Sequence, residues 1–497
     1  MDRKANGKRL VLQAGAILLC TALLWAALLP IAASGNIRMD NDRMIRDPET
    51  ALSQYITENR GGLVLLLRLF GLDRWHPVRS GVLYLLFLTL NGWLLCFLIR
   101  RLTGWKDEKL YLLFFLLYTV CPVWAYHAYF TLQLAPVGLG MLLCTGMAGT
   151  DSLLWAAKRK RPALRAAWEV FAVLLLGFCV TVYQALAVHF AAAWAALMFC
   201  FLRKTRKASL PDFMLPVIRV ILAVAGALLV SGFLRGGAET AYLNSQILWG
   251  KVPFPENCWQ IIRSAGATLI LANSSRFTLY PAAAVCLFLL WYRRRKEKTG
   301  RPAFTLVSLA LLILPFAFNL ALGNATVPRT QYALQLTAAL APVCFLGDSE
   351  KWHRVFRTAL VTVLVIQAAL IARLYHTDNI RNEMDTEAAG RICAKLEDAD
   401  PAVPVVFYGK LEIDDSSVLT EKTDVFGRSF FEWIYTEEKP DSATLSALRL
   451  LEAYSGKKFT RSPSWDAGPE AFASLPCYPE DGFVQKTDEY ILVKLSE

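Results

Sequence analysis

Apolar residues fall along this chain in long unbroken blocks, separated by short basic or polar connectors, and not at the spacing of a one-sided soluble helix or strand. Val11 to Ala33 and Pro302 to Leu322 carry no charged side chain at all. Blocks of roughly 17 to 25 residues, long enough to cross the hydrocarbon of a bilayer as helices, fall near 10–34, 78–99, 110–127, 131–150, 167–183, 185–202, 211–233, 276–292, 302–322, 331–347 and 356–375. The pattern predicts a mainly α, polytopic membrane protein of about eleven transmembrane helices, residues 1–377, followed by a small C-terminal α/β domain, residues 378–497. A mean hydropathy of +0.37 agrees with that class.

The connectors orient the chain. About half of the 53 Lys and Arg lie in six alternate loops, around Arg3–Arg9, Arg100–Lys109, Lys158–Arg165, Arg203–Lys207, Arg293–Arg301 and Lys351–Arg357, which places those loops, and the N-terminus, in the cytoplasm. An odd number of spans then delivers the C-terminus to the exterior. The net charge of +12 is a topological signal and not a nucleic-acid footprint. From His376 onward 24 Asp and Glu outnumber 13 Lys and Arg, so the tail is acidic. The first apolar block lacks a small-residue cleavage site and reads as a retained anchor.

Three exterior regions depart from plain connectors. Gly35 to Val78 is rich in arginine (Arg38, Arg43, Arg46, Arg60, Arg68, Arg74) on the face where such residues are scarce. Within it, Leu63 to Leu72 is too short to cross and reads as an interfacial helix lining a groove open to lipid. Arg235 to Phe277 holds Trp249 and Trp259 and a weakly apolar run from Ile261 to Ala272, a second interfacial or re-entrant candidate; Gly323 to Gln331 holds Arg329. In the tail, Glu383 to Leu396 and Ser442 to Tyr454 predict helices and Val403 to Tyr408 a buried strand, while Gly482 to Leu495 predicts a hairpin turning at Thr487-Asp488-Glu489. Most cysteines lie inside apolar blocks as small hydrophobes; Cys393 and Cys477 in the tail are either a disulfide or free thiols.

The chemistry concentrates where the first block ends, at Arg38-Met39-Asp40-Asn41-Asp42-Arg43. Transfer of a sugar from a polyprenyl phosphate needs a base for the acceptor hydroxyl and cations for the phosphate as it leaves. Asp40 or Asp42 can supply the base. Arg43, Arg46, Arg60 and Arg329 can supply the cations, because a planar guanidinium grips phosphate with two hydrogen bonds and keeps its charge in a partly desolvated site. A phosphate leaving group needs no general acid, so the second carboxylate is either an orienting partner or a ligand for a divalent metal; no other cofactor is called for. Each residue has a plainer reading. An Asp-x-Asp in a polar loop caps helices, Arg60 could snorkel to the interface, and Tyr183-Gln184 at a tight turn either caps it or hydrogen-bonds a sugar. His127, beside Tyr126 and Tyr129, reads as a member of an interfacial aromatic belt, and His189 as a helix-packing hydrogen bond.

Asp40-Asn41-Asp42-Arg43, Tyr55-Ile56-Thr57-Glu58-Asn59-Arg60-Gly61 and Val182-Tyr183-Gln184-Ala185 together resemble the Gtr-type integral membrane glucosyltransferases that decorate bacterial O-antigens. Val405-Val406-Phe407-Tyr408-Gly409 and the stretch from Leu475-Pro476-Cys477-Tyr478-Pro479 to Ile491-Leu492-Val493-Lys494-Leu495 are similar to that family's C-terminal region. The resemblance implies a GT-C architecture in the plasma (inner) membrane and a catalytic carboxylate in the first exterior loop. It further implies a polyprenyl-phosphate sugar donor, typically of glucose, a cell-envelope glycan acceptor, and inversion at the anomeric carbon. The family's acidic pair is often adjacent, whereas Asn41 separates Asp40 from Asp42; and Asn59 stands where glycine is usual.

The expected partners are therefore that donor, that acceptor and membrane lipid, with no nucleic acid. Two other classes compete. A lipid-linked glycan flippase would distribute polar groups through its spans, and an O-antigen polymerase or ligase would rely on arginines in large exterior loops and a lipid diphosphate.

Overall fold

The computed structural model describes residues 3–38, 40–157, 162–205, 208, 210–235, 245–269, 279–295, 300–348, 353–413, 418, 426–432, 442–460 and 469–497. Met39, most of the connector at 158–161 and the stretches 236–244 and 270–278, on which parts of the expectations above fall, lie outside the described residues. The chain divides into two compact units, Met1–Ser34 with Ser53–Ile371, and Gly35–Leu52 with Ala372–Glu497.

The first unit is helical. Among the described residues eight helices are long and apolar enough to cross a membrane: Val11–Ala32, Pro77–Thr103, Thr131–Trp155, Ala163–Val182, Leu186–Thr205, Leu210–Leu234, Arg301–Leu322 and part of His353–Lys395. Glu108–Thr119 and Pro122–Ala128 make a further segment bent by 43°. Pro122 causes the bend, since it has no N–H for the ladder and forces the residue before it out of the helical region. Tyr280–Arg293 and Tyr332–Gly347 occupy two more of the expected blocks; at 1.5 Å per residue they reach only about 21 and 24 Å, short of the ~30 Å of hydrocarbon. Local signals set the ends. Asp107 accepts from the Lys109 N–H to start Glu108–Thr119, and Gly104, at φ 67°, stops Pro77–Thr103.

Two expectations change here. The block at 356–375 and the helix expected at 383–396 are one helix, His353–Lys395, because residues 376–382 contain no glycine or proline to break it. His127, Tyr126 and Tyr129 are buried and form no surface belt: the bend at Pro122 folds Pro122–Ala128 into the unit, and the Tyr332 hydroxyl bonds His127 Nδ1 at 2.9 Å. His189 makes the packing contact expected of it, with Thr145 Oγ1 at 3.2 Å.

The second unit is α/β. Strands β1 (Val405–Tyr408), β2 (Val484–Lys486) and β3 (Ile491–Lys494) form a sheet in the order β1-β3-β2, with β3 parallel to β1 and antiparallel to β2. The β2–β3 hairpin turns where the sequence predicted, closed by Thr487 N–H to the Tyr490 carbonyl at 2.9 Å. Phe407, Ile491 and Val493 pack with Ile392, Phe430 and Leu451 into the core, and Ile37 joins it. Both tail cysteines are free thiols, as are the other nine.

Candidate active site

Within the second unit, the segment after the first span is held by a buried ionic chain. Arg38 donates from Nε and Nη2 to Asp378 Oδ2 at 3.0 and 2.7 Å, with both side chains fully enclosed. Asn36 Nδ2 donates to the same oxygen at 2.8 Å, and Asn382 Oδ1 accepts from the Ile37 N–H. This anchor presents the short helix Asn41–Arg46, whose N-cap, Asp40, sits at φ 73°. A left-handed aspartate is strained by about 1 kcal/mol or more, and such outliers persist where the surroundings hold them, often at functional sites.

Asp42, on the first turn of that helix, is buried. Burial first, and the neighbouring Asp40 charge second, push its carboxyl up to about 6, against the pull of Arg449 and Arg43. Asp42 Oδ1 and both amide atoms of Asn41 are enclosed without a hydrogen-bond partner among the described residues. Buried polar atoms are paired in the great majority of cases, which makes these three candidates for contact with a ligand. Arg46 is ion-paired with Glu452. Arg449, on helix Ser442–Ser455 some 400 residues away in sequence, is half-buried and feels the charges of Arg43, Asp42, Arg46 and Asp40. No spacing in the sequence linked it to the acidic pair. The arrangement is a warm carboxyl with cations around it, able to accept a proton beside an anion. Among the described residues no group of three or more His, Cys, Asp or Glu accompanies the pair.

In the first unit, Asn59 adopts φ 64°, the conformation glycine would supply; asparagine tolerates it better than most residues. The turn aims Arg60 between two rings, 5.9 Å from the Tyr55 centroid and 5.5 Å from that of Tyr183, with Glu58 at 3.6 Å. Its side chain is 12% exposed, so it does not snorkel. Gln184 Nε2 donates to the Glu58 carbonyl at 3.2 Å, tying the two turns together. Helix Gly61–Leu69, expected at 63–72, follows, with Leu63, Leu66 and Leu67 buried and Leu65 and Leu69 exposed. A Cβ on Gly62 would lie 2.4 Å from Thr181 Oγ1 and 3.1 Å from the Thr181 backbone. Only glycine allows this approach.

Arg329 lies over the Phe130 ring at 4.0 Å, and its charge reaches His127. His127, Tyr183 and Tyr332 form one ring cluster, with Tyr183 and Tyr332 centroids 5.9 Å apart. Arg60, Tyr183 and Gln184 are thus assembled, and Arg329 borders the same aromatic cluster. Tyr55, Glu58, Phe130 and Tyr332 complete the surroundings; of these only Tyr55 and Glu58 stood in a motif the sequence marked.

Replacing Arg60 by lysine keeps the charge but removes the flat surface that stacks between Tyr55 and Tyr183 and one of two parallel donors. Were Arg60 a phosphate contact of the transferase that the resemblance implies, transfer at limiting donor would fall roughly 10- to 100-fold, the worth of one charge-assisted hydrogen bond. Initial rates against donor concentration test this, and an unchanged donor dependence would make Arg60 a packing residue only.

A search of curated protein sequences finds no match. Among solved structures, the chain is similar to ArnT from Cupriavidus metallidurans bound to undecaprenyl phosphate, at 12% identity, with 88% of each chain covered and a TM-score of 0.42. Residues 29–346 match the family described as Glucosyl transferase GtrII, a stretch that contains Asp40, Asp42, Arg43, Arg46, Arg60, Tyr183, Gln184 and Arg329. Matched over more than half of its length, this multi-span chain belongs to the GtrII family of glucosyl transferases.

Proposed function

We propose that the protein is an inverting glycosyltransferase that moves a sugar, in keeping with its family glucose, from a polyprenyl-phosphate donor to a cell-envelope glycan on the exterior face of the plasma (inner) membrane. The observation that carries the reading is the GtrII match over residues 29–346, and Asp42 supports it as a buried carboxyl, raised to about 6, that feels the charges of Arg449 and Arg43. A base works best with a pKa near the operating pH. Asp42 takes the acceptor hydroxyl's proton as that oxygen bonds to the anomeric carbon from the side opposite the phosphate. The carbon–oxygen bond to phosphate then breaks, and the phosphate keeps the electron pair. Asp40, strained and adjacent, orients Asp42 or the acceptor.

Arg43, Arg46, Arg60 and Arg329 are the proposed phosphate contacts, and Arg449 is proposed to steady the charge of Asp42. Tyr183 and Gln184 are the proposed sugar contacts. The alternation of basic loops supports a cytoplasmic N-terminus and an exterior C-terminus, and with it an exterior domain at 378–497 whose acidity suits acceptor recognition better than phosphate binding. Protease added to right-side-out vesicles should cut the tail without permeabilisation; cleavage only after permeabilisation would overturn this orientation.

The direct test offers the purified protein a panel of radiolabelled polyprenyl-phosphate sugars with extracted envelope glycans. Label from a glucose-bearing donor should appear in the glycan. Transfer only from a lipid diphosphate, undiminished by substitution of Asp40 and Asp42, would favour a polymerase or ligase; lipid-linked glycan crossing the bilayer without transfer would favour a flippase.

A further inference from the structure

The apolar blocks hide a cluster of charge that the sequence pattern did not bring together. Arg219, on helix Leu210–Leu234, is almost wholly enclosed and spends its guanidinium on two carboxylates. Nη1 and Nη2 donate to Asp151 at 2.8 and 3.2 Å, and Nη2 and Nε donate to Glu169 Oε2 at 2.7 and 3.3 Å. Trp168 Nε1 gives Asp151 a further bond at 2.9 Å. Arg165 and Asp212 stand nearby as a looser pair at 3.7 Å. Asp151, Arg165, Glu169, Asp212 and Arg219 line a cavity of about 290 Å³. Ionisable groups inside a membrane protein are costly, and they mark functional places more often than packing.

Among the described residues one guanidinium faces the two carboxylates of Asp151 and Glu169, beside the Arg165–Asp212 pair, so three carboxylates and two guanidinium groups line the cavity. Glu169, 23% exposed, accepts from Arg219 on Oε2 alone. From Glu169 and Arg219 a second space of about 270 Å³ continues between the two helices, lined otherwise by Val170, Val173, Leu174, Leu215, Ile218 and Leu222. Val170, Leu174, Ile218 and Leu222 are exposed large hydrophobics, as expected of a wall facing lipid tails. A charged chamber opening into an apolar groove has the shape of an amphiphile: headgroup, then chain. Both lie toward the end of helix Pro162–Val182 that begins beside the basic connectors, away from Tyr183 at its other end.

We propose that this cavity and groove bind one phospholipid with a primary-ammonium headgroup, of the ethanolamine class. The ammonium meets Glu169 and Asp212, the phosphate meets Arg165, and an acyl chain lies along Leu174 and Leu222. A compact ammonium with three N–H donors suits two carboxylates. A choline headgroup has the charge but no N–H to donate. A glycerol headgroup brings a net negative charge to carboxylates that repel it.

Native mass spectrometry of the full-length protein, titrated with phosphatidylethanolamine, phosphatidylcholine and phosphatidylglycerol of identical acyl chains, tests this. The ethanolamine lipid should bind roughly tenfold more tightly than either of the others, about the worth of one charge-assisted hydrogen bond. Glu169→Gln combined with Asp212→Asn should erase the preference. Leu174→Trp, at an exposed position that fills the groove, should weaken all three lipids, and it keeps the test open if the double variant does not fold. Equal binding of the three lipids, a preference for phosphatidylglycerol set by the basic loops, a preference that survives the double variant, or binding indifferent to Leu174→Trp would each overturn the assignment.

Discussion

Asp42→Asn is expected to lower sugar transfer by a factor on the order of 10² to 10⁴, the usual contribution of a general base, and at the same time to make the protein harder to unfold. The two effects share one cause. Burial raises the Asp42 carboxyl from 3.8 to about 6, so between those values the folded chain binds more protons than the unfolded one. Stability therefore falls as pH rises from about 4 to about 6 and stays low above it. The displacement corresponds to at most about 3 kcal/mol at neutral pH, and an uncharged amide of the same shape would recover part of it. A carboxylate retained only for structure would behave in the opposite way, and its removal would destabilise. Wild-type transfer should also climb with pH through about 6 as the base loses its proton. Thermal unfolding at pH 5 and 7.5, alongside the transfer assay, separates the cases. A variant that is both less stable and fully active would remove Asp42 from the chemistry.

Much of this was legible because membrane insertion writes itself into long stretches of sequence. The apolar blocks and the hairpin at Thr487 each follow from a local rule of length or turn chemistry, whereas the block at 110–127 reads in sequence as one span and is bent at Pro122. Asp40 and Asp42 were visible for the same reason, as two carboxylates one residue apart just after the end of a block. The rest depends on contacts between residues hundreds of positions apart. Arg449 gathers with Asp42 only because helix Ser442–Ser455 folds against the same unit as residues 41–46, and no periodicity encodes that. The sequence places His127 in an interfacial belt because aromatic residues near the end of a block are common there, whereas the helix bend encloses it with Tyr126 and Tyr129. Asn59 shows the reverse case: a departure from the family's glycine keeps the left-handed backbone by a different residue.

Asp378→Ala should release the segment that carries the acidic pair, although Asp378 is not among the groups proposed to touch substrate. Asp378 Oδ2 takes both bonds from Arg38, and its Oδ1 accepts from Arg381 Nη2 at 3.0 Å; Arg381 Nη1 in turn donates to Asp385 at 3.0 Å. The four side chains are buried and electrically neutral together. Removing one carboxylate leaves two guanidinium groups to share Asp385, and an uncompensated buried charge costs about 3 to 5 kcal/mol. Amide exchange across residues 35–52 should accelerate, with transfer falling alongside it. Arg38→Met combined with Asp378→Leu leaves Arg381 with Asp385 as a neutral pair, and should restore much of the protection, because well-packed apolar groups replace buried ion pairs at little cost. Unchanged exchange in Asp378→Ala would mean that the ionic chain does not hold this segment. The same geometry predicts what truncation does. Deleting the residues after Thr377 takes away Asp378, Arg381 and Asp385 together, so it should abolish transfer by unseating Asp40 and Asp42, whatever the tail contributes to the acceptor. Only point substitutions on the tail's own surface can report that contribution separately.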